Sequence, residues 1–107
     1  QRTYSILWFQ LDLFDFDPIN MRAGVGILIA DETRRGKGFA KQALQLAIEY
    51  SFKQLRLNQL FCDITSDNDK SLKLFEALGF VRSGLKKKWR NIEGNWVDEH
   101  FLQLVNA

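Results

Sequence analysis

The chain is 107 residues long, 46% hydrophobic and 26% charged, with a net charge of +2. That balance excludes a disordered chain and bounds the molecule at a single domain, residues 1–107, with a modest core. The charge is too mild to argue for nucleic acid by itself. One cysteine excludes an internal disulfide, and no set of metal ligands can be assembled around the one histidine, His100.

The opening run from Tyr4 to Phe16 is apolar and aromatic but broken by Asp12 and Asp15, with no small-residue cleavage site, so it is not a signal peptide. It reads as one strand over residues 3–15. Residues 15–20 read as a turn in which Pro18 bars a ladder bond, and residues 22–30 as a second strand closing an antiparallel hairpin. Gly24 and Gly26 inside it mark a bulge, the close approach of a ligand, or room made for a bulky neighbour. The helical period of Ala40, Ala43, Leu44, Ala47, Ile48 and Leu55 predicts a helix over about 38–55.

Residues 57–65 follow as a strand with Leu60, Cys62 and Ile64 on one face. The cluster Ser66-Asp67-Asn68-Asp69 starts a second helix, with capping-box-like spacing of Ser66 and Asp69; it carries Leu72, Phe75 and Leu78 and ends at Gly79. Residues 80–89 form a strand with Lys86-Lys87-Lys88 in its middle, residues 90–95 turn the chain, and residues 96–105 return in alternation. The order β-β-loop-α-β-α-β-β argues an α+β fold, a mixed sheet with helices packed on it. No apolar run reaches the roughly 18 residues of a membrane helix. Cys62, in an apolar run, reads as a buried thiol in a reducing compartment, so a cytoplasmic protein is expected.

Between the second strand and the first helix lies Arg34-Arg35-Gly36-Lys37-Gly38-Phe39-Ala40. Two glycines free the backbone there, the amides opening the helix have no partners within it, and three cations stand beside them. Helix dipole and cations together favour phosphate. The nucleotide P-loop pattern fails because Lys37 is followed by Gly38. The dinucleotide pattern fails because Lys41 stands at the third glycine position.

The stretch resembles the pyrophosphate loop of the GNAT acetyltransferase superfamily, (Gln/Arg)-x-x-Gly-x-(Gly/Ala), at Arg35, Gly38 and Ala40. About thirty residues on, Asn68, Ser71, Phe75, Gly79 and Phe80 are similar to the family pattern Asn-x-x-(Ala/Ser)-x-x-x-Tyr-x-x-x-Gly-Phe. The basic strand and the Trp96 hairpin look like the branch of spermidine and ribosomal-protein alanine acetyltransferases. The resemblance implies a mostly antiparallel sheet and acetyl-CoA as cofactor. Ile27, Leu28 and Ile29 would line the pantetheine arm. Arg34, Arg35, Gly36, Lys37, Gly38, Phe39 and Ala40 would hold the pyrophosphate, with Asn68 bonding the arm or the loop and Ser71 and Phe75 near the thioester.

Where many members carry a tyrosine as general acid, this chain has Phe75, leaving Ser71 as the nearest hydroxyl. Where many carry a glutamate base, it has Gly24. Asp12, Asp15, Asp98 and Glu99 are the remaining base candidates. The implied activity is N-acetylation of a primary amine, in a polyamine, an aminoglycoside-like compound or a protein N-terminus. The alternative is a non-catalytic acyl-CoA-binding or sensor module. Lys86-Lys87-Lys88-Trp89-Arg90 could serve single-stranded nucleic acid, but a solvated strand edge guarded by lysines accounts for it. The family has a strand and two helices ahead of the matching region, so this chain is expected to be N-terminally incomplete. Its uncovered face would favour association with a second copy, a homo-oligomer.

Overall fold

A computed structural model of the chain describes residues 2–6, 9–29 and 38–107. It forms two compact units, one made of Gln1–Leu60 with Val105–Ala107 and the other of Phe61–Leu104.

In the first unit β1 (Arg2–Ile6), β2 (Phe9–Asp17) and β3 (Arg22–Ile29) run antiparallel in that order, and Gln59 and Leu60 open β4 (Gln59–Thr65) there. The single strand expected over residues 3–15 is therefore two. Ile6 pairs with Phe9, so the chain reverses between them. No glycine, proline or asparagine marks that reversal, and an unbroken apolar run hides it from pattern reading. The β2–β3 turn is closed by Asp17: its Oδ1 accepts from the backbone N–H groups of Ile19 and Asn20, both at 2.9 Å, and its Oδ2 from the Asn20 side chain at 2.8 Å.

Alternation along β2 and β3 puts Leu11, Leu13, Ala23 and Val25 on one face, all buried. Helix α1 (Phe39–Glu49) packs against β2 and β3 and buries Leu44 and Ala47. A π turn, Tyr50–Gln54, continues it to the expected end and encloses Ser51. Leu57 then returns its N–H to the Ser51 carbonyl at 2.9 Å, and Asn58 donates to Met21 at 2.6 Å, seating the start of β4. Gly24 answers the question its position raised. A methyl group there would overlap the Phe14 ring, so the glycine makes room for a bulky neighbour.

In the second unit β6 (Asn95–Val105) lies between β4 and β5 (Val81–Ile92), with β5 at the edge. Cys62, Ile64, Leu72, Phe75, Phe80 and Leu102 are its buried apolar residues. Helix α2 (Asp69–Ala77) is capped by Asn68, whose Oδ1 accepts from the Ser71 N–H at 3.2 Å. The cap is therefore Asn68, not the Ser66 of the expected box; four consecutive cap-competent residues offered the choice. The helix ends as expected at Gly79, with φ of 100°. Phe80 N–H reaches the Phe75 carbonyl and Gly79 N–H that of Glu76, both at 3.1 Å, while the Phe75 and Phe80 rings meet edge to face at 5.1 Å. That is a Schellman ending with its apolar contact.

Candidate active site

The chain enters α1 through Gly38 at φ 80° and ψ 0°, a left-handed conformation that disfavours any residue with a Cβ. Gln42 N–H donates to the Gly38 carbonyl at 3.0 Å and so starts the helix. Among the described residues no side chain caps it, and its first turn holds no acidic residue. A helix start free of acid suits an anion, through the positive end of the dipole. Gly38 is exposed and Phe39 and Ala40 are half-buried. Arg34, Arg35, Gly36 and Lys37 lie outside the described residues.

Ile27, Leu28 and Ile29 close β3, paired with Leu11, Gln10 and Phe9. Ile27 is half-buried, whereas Leu28 is 58% exposed and presents an apolar side chain to solvent. The first unit thus gathers Ile27, Leu28, Ile29, Gly38, Phe39 and Ala40. Asn68, Ser71 and Phe75 belong to the second. There Ser71 is half-buried in the first turn of α2, Asn68 is its cap with an amide nitrogen that can donate outward, and Phe75 is 3% exposed against Phe80.

The candidate bases have distinct surroundings. Asp98 accepts the backbone N–H of Lys88 at 2.8 Å, fixing a bulge in β5 where Lys88 takes φ of 50°. Glu99, only 4% exposed, is ion-paired with Arg90 at 3.3 Å and Lys86 at 3.8 Å. Lys86 also bonds Asp63 at 3.0 Å and stands over the Trp89 ring at 5.2 Å. Both carboxylates therefore serve the β5–β6 pairing. The lysine run is more than a solvated edge, since Lys86 and Arg90 neutralise a buried carboxylate, which sequence spacing alone does not reveal. Asp15 is exposed at a bulge in β2, and Asp12 is half-buried with Gln10 Nε2 donating to both its oxygens, at 3.3 and 3.2 Å. At Gly24, where a family glutamate would fall, the Phe14 ring occupies the space.

Cys62 is buried, and burial first, the neighbouring Asp63 second, pushes its thiol up to about 12. It is unsuited to act as a nucleophile. Among the described residues no three His, Cys, Asp or Glu side chains gather as a metal site, and no helix is long and apolar enough to cross a membrane.

Comparison with known families decides the assignment. The model described as the acetyltransferase (GNAT) domain matches residues 9–81. The chain belongs to the GNAT acetyltransferase family. It is 33% identical over 97 residues to the spermidine N(1)-acetyltransferase of Vibrio cholerae serotype O1, covering 91% of this chain and 56% of that protein. It is likewise 33% identical over 89 residues to the uncharacterized N-acetyltransferase p20 of Bacillus licheniformis, covering 83% of this chain and 49% of the relative.

Among solved structures, a dodecameric spermidine N-acetyltransferase from Vibrio cholerae in an intermediate state superimposes with a TM-score of 0.86 at 28% identity. That match covers 94% of this chain and 58% of the other. The chain spans about half the length of the curated relatives it matches. Its fold is the α+β GNAT fold, similar to that of the spermidine acetyltransferase branch.

Proposed function

We propose that the protein is an acetyl-CoA-dependent N-acetyltransferase acting on a primary amine: a polyamine, another small amine or a protein N-terminus. The observation that carries this reading is the helix start at Gly38, with no acid in its first turn and, among the described residues, no side-chain cap, in the stretch that resembles the family's cofactor loop. Acetyl-CoA supplies the acetyl group in activated form. The amides of Arg35, Gly36, Lys37, Gly38, Phe39 and Ala40, with the Arg34 side chain, hold its pyrophosphate. The backbone of Ile27, Leu28 and Ile29 lines the pantetheine arm, and the Asn68 amide nitrogen bonds the arm or the loop. By the same resemblance, Ser71 and Phe75 belong near the thioester end.

The neutral amine attacks the thioester carbonyl; a C–N bond forms as the C–S bond breaks, and a proton passes to the sulfur. Ser71 is the group proposed to relay that proton, giving its own to the sulfur and taking up the one the nitrogen sheds, since Phe75 has none to give. Neither Ser71 nor Cys62 is acylated in such a direct transfer. The relatives cited carry acetyltransferase names, which gives no support to a non-catalytic sensor.

Gly38→Asp tests the reading. It forces a Cβ into positive φ and puts a negative charge where phosphate would sit, so saturable acetyl-CoA binding by the parent should disappear in the variant. A parent chain that binds no acetyl-CoA, or a variant that binds it equally well, defeats the assignment. Assembly of several copies belongs to the same proposal, with the dodecameric relative as its support; a monomer by light scattering counts against it.

A further inference from the structure

Gln10, Asp12 and Phe14 of β2 stand opposite Leu28, Gly26 and Gly24 of β3, pair by pair. Cross-strand partners share a face, and this is the face opposite buried Leu11, Leu13, Ala23 and Val25. Along it the Phe14 ring covers Gly24. One pair further on, a Cβ on half-buried Gly26 would meet, among the described residues, nothing nearer than Phe14 Cε1, at 3.9 Å. Half-buried Asp12 faces Gly26 directly across the ladder, its carboxylate steadied at both oxygens by Gln10 Nε2 at 3.3 and 3.2 Å.

Three unlike features therefore meet around one backbone position. A glycine leaves space for something to approach the strand. The Phe14 ring bounds that space on one side. Asp12, the cross-strand partner of Gly26, adds a carboxylate on the same face, which favours a cation and repels an anion. Gly26 immediately precedes Ile27, the first residue proposed to line the pantetheine arm, so a group held here lies beside the proposed path of that arm.

We propose that Asp12, Phe14 and Gly26 form a recess that binds an alkylammonium group of the acceptor, with Asp12 as its ion-pair partner and Phe14 as its aromatic wall. This deepens the transferase reading and rests on it. Asp12, weighed from sequence as a base, is instead a specificity-determining residue.

Calorimetric titration of the chain with spermidine, in the absence of acetyl-CoA, reads the recess directly. Asp12→Asn keeps the shape and removes the charge. Gly26→Ala puts a methyl in the space at ordinary contact distance from Phe14, so the fold is retained. Each variant should bind spermidine about tenfold more weakly or worse, the scale of one charge-assisted hydrogen bond. Acetyl-CoA affinity should stay unchanged, and KM for the amine should rise more than kcat falls. Asp67→Asn, exposed in the other unit, should change nothing. Unchanged spermidine affinity in Asp12→Asn, or no saturable spermidine binding by the parent, overturns the recess. Failure of acetyl-CoA to bind overturns the transferase reading alone, because the amine is titrated without it.

Discussion

Ser51 is completely enclosed, and its hydroxyl has no hydrogen-bond partner among the described residues. An unpaired buried hydroxyl costs about 1–3 kcal/mol on protein scales. Ser51→Ala should therefore raise stability, by roughly 1 kcal/mol; urea denaturation with an unchanged m-value measures it, and a destabilised variant would mean the hydroxyl is bonded after all. Cys62 makes the opposite kind of claim, about reactivity. Its thiol rises from an ordinary 9.0 to about 12, so the folded chain keeps a proton that the unfolded chain gives up. Stability linked to that proton is intact below 9.0 and declines as pH climbs towards 12. Iodoacetamide at about pH 8 should leave Cys62 unlabelled in the native protein and label it fully in urea. Native labelling at the rate of a free thiol would refute the burial.

The β2–β3 turn shows how one side chain sets an element. Asp17 takes up the Ile19 and Asn20 amides and lies 3.4 Å from Arg22. The Asn20 backbone bond, then its side-chain bond, holds the carboxyl below its usual 3.8. A folded value below the unfolded one means the stabilisation is fully present above 3.8 and is lost as pH falls through the lowered value. Thermal melts against pH should show Asp17→Asn less stable than the parent at neutral pH, with the two converging in acid. A constant gap across the range would assign the effect to shape rather than charge.

Such turns were half legible in the sequence. Pro18 and Asn20 announce this one, and Gly79 announces the end of α2, because a positive φ there favours a residue without a Cβ. The reversal between Ile6 and Phe9 has no such residue, and Asn68 was one of four neighbours able to cap α2, so geometry had to choose.

For the molecule as a whole, periodicity carried the α+β architecture, because burial of one face per element is written in residue spacing. The helix start at Gly38 was legible for the same local reason. The Glu99 network was not: Arg90 and Glu99 are brought together by strand pairing across bulges that no sequence period encodes. Nor was the Gly26 recess, since a glycine reports missing volume without saying what borders it.

The cofactor proposal has a consequence at this scale that needs no amine and no turnover. A ligand that binds only the folded chain stabilises it by mass action, about 2.7 kcal/mol at one hundred times Kd. Each kcal/mol shifts Tm by roughly 4–8 °C in a chain of this size. Saturating acetyl-CoA should therefore raise the melting temperature by about 10 °C or more, with the shift growing as the logarithm of concentration. Coenzyme A should do nearly as well, because the proposed anchor is the pyrophosphate rather than the acetyl group, and Gly38→Asp should abolish both shifts. A shift that acetyl-CoA produces and coenzyme A does not would move the anchor to the thioester end, against the Gly38 reading.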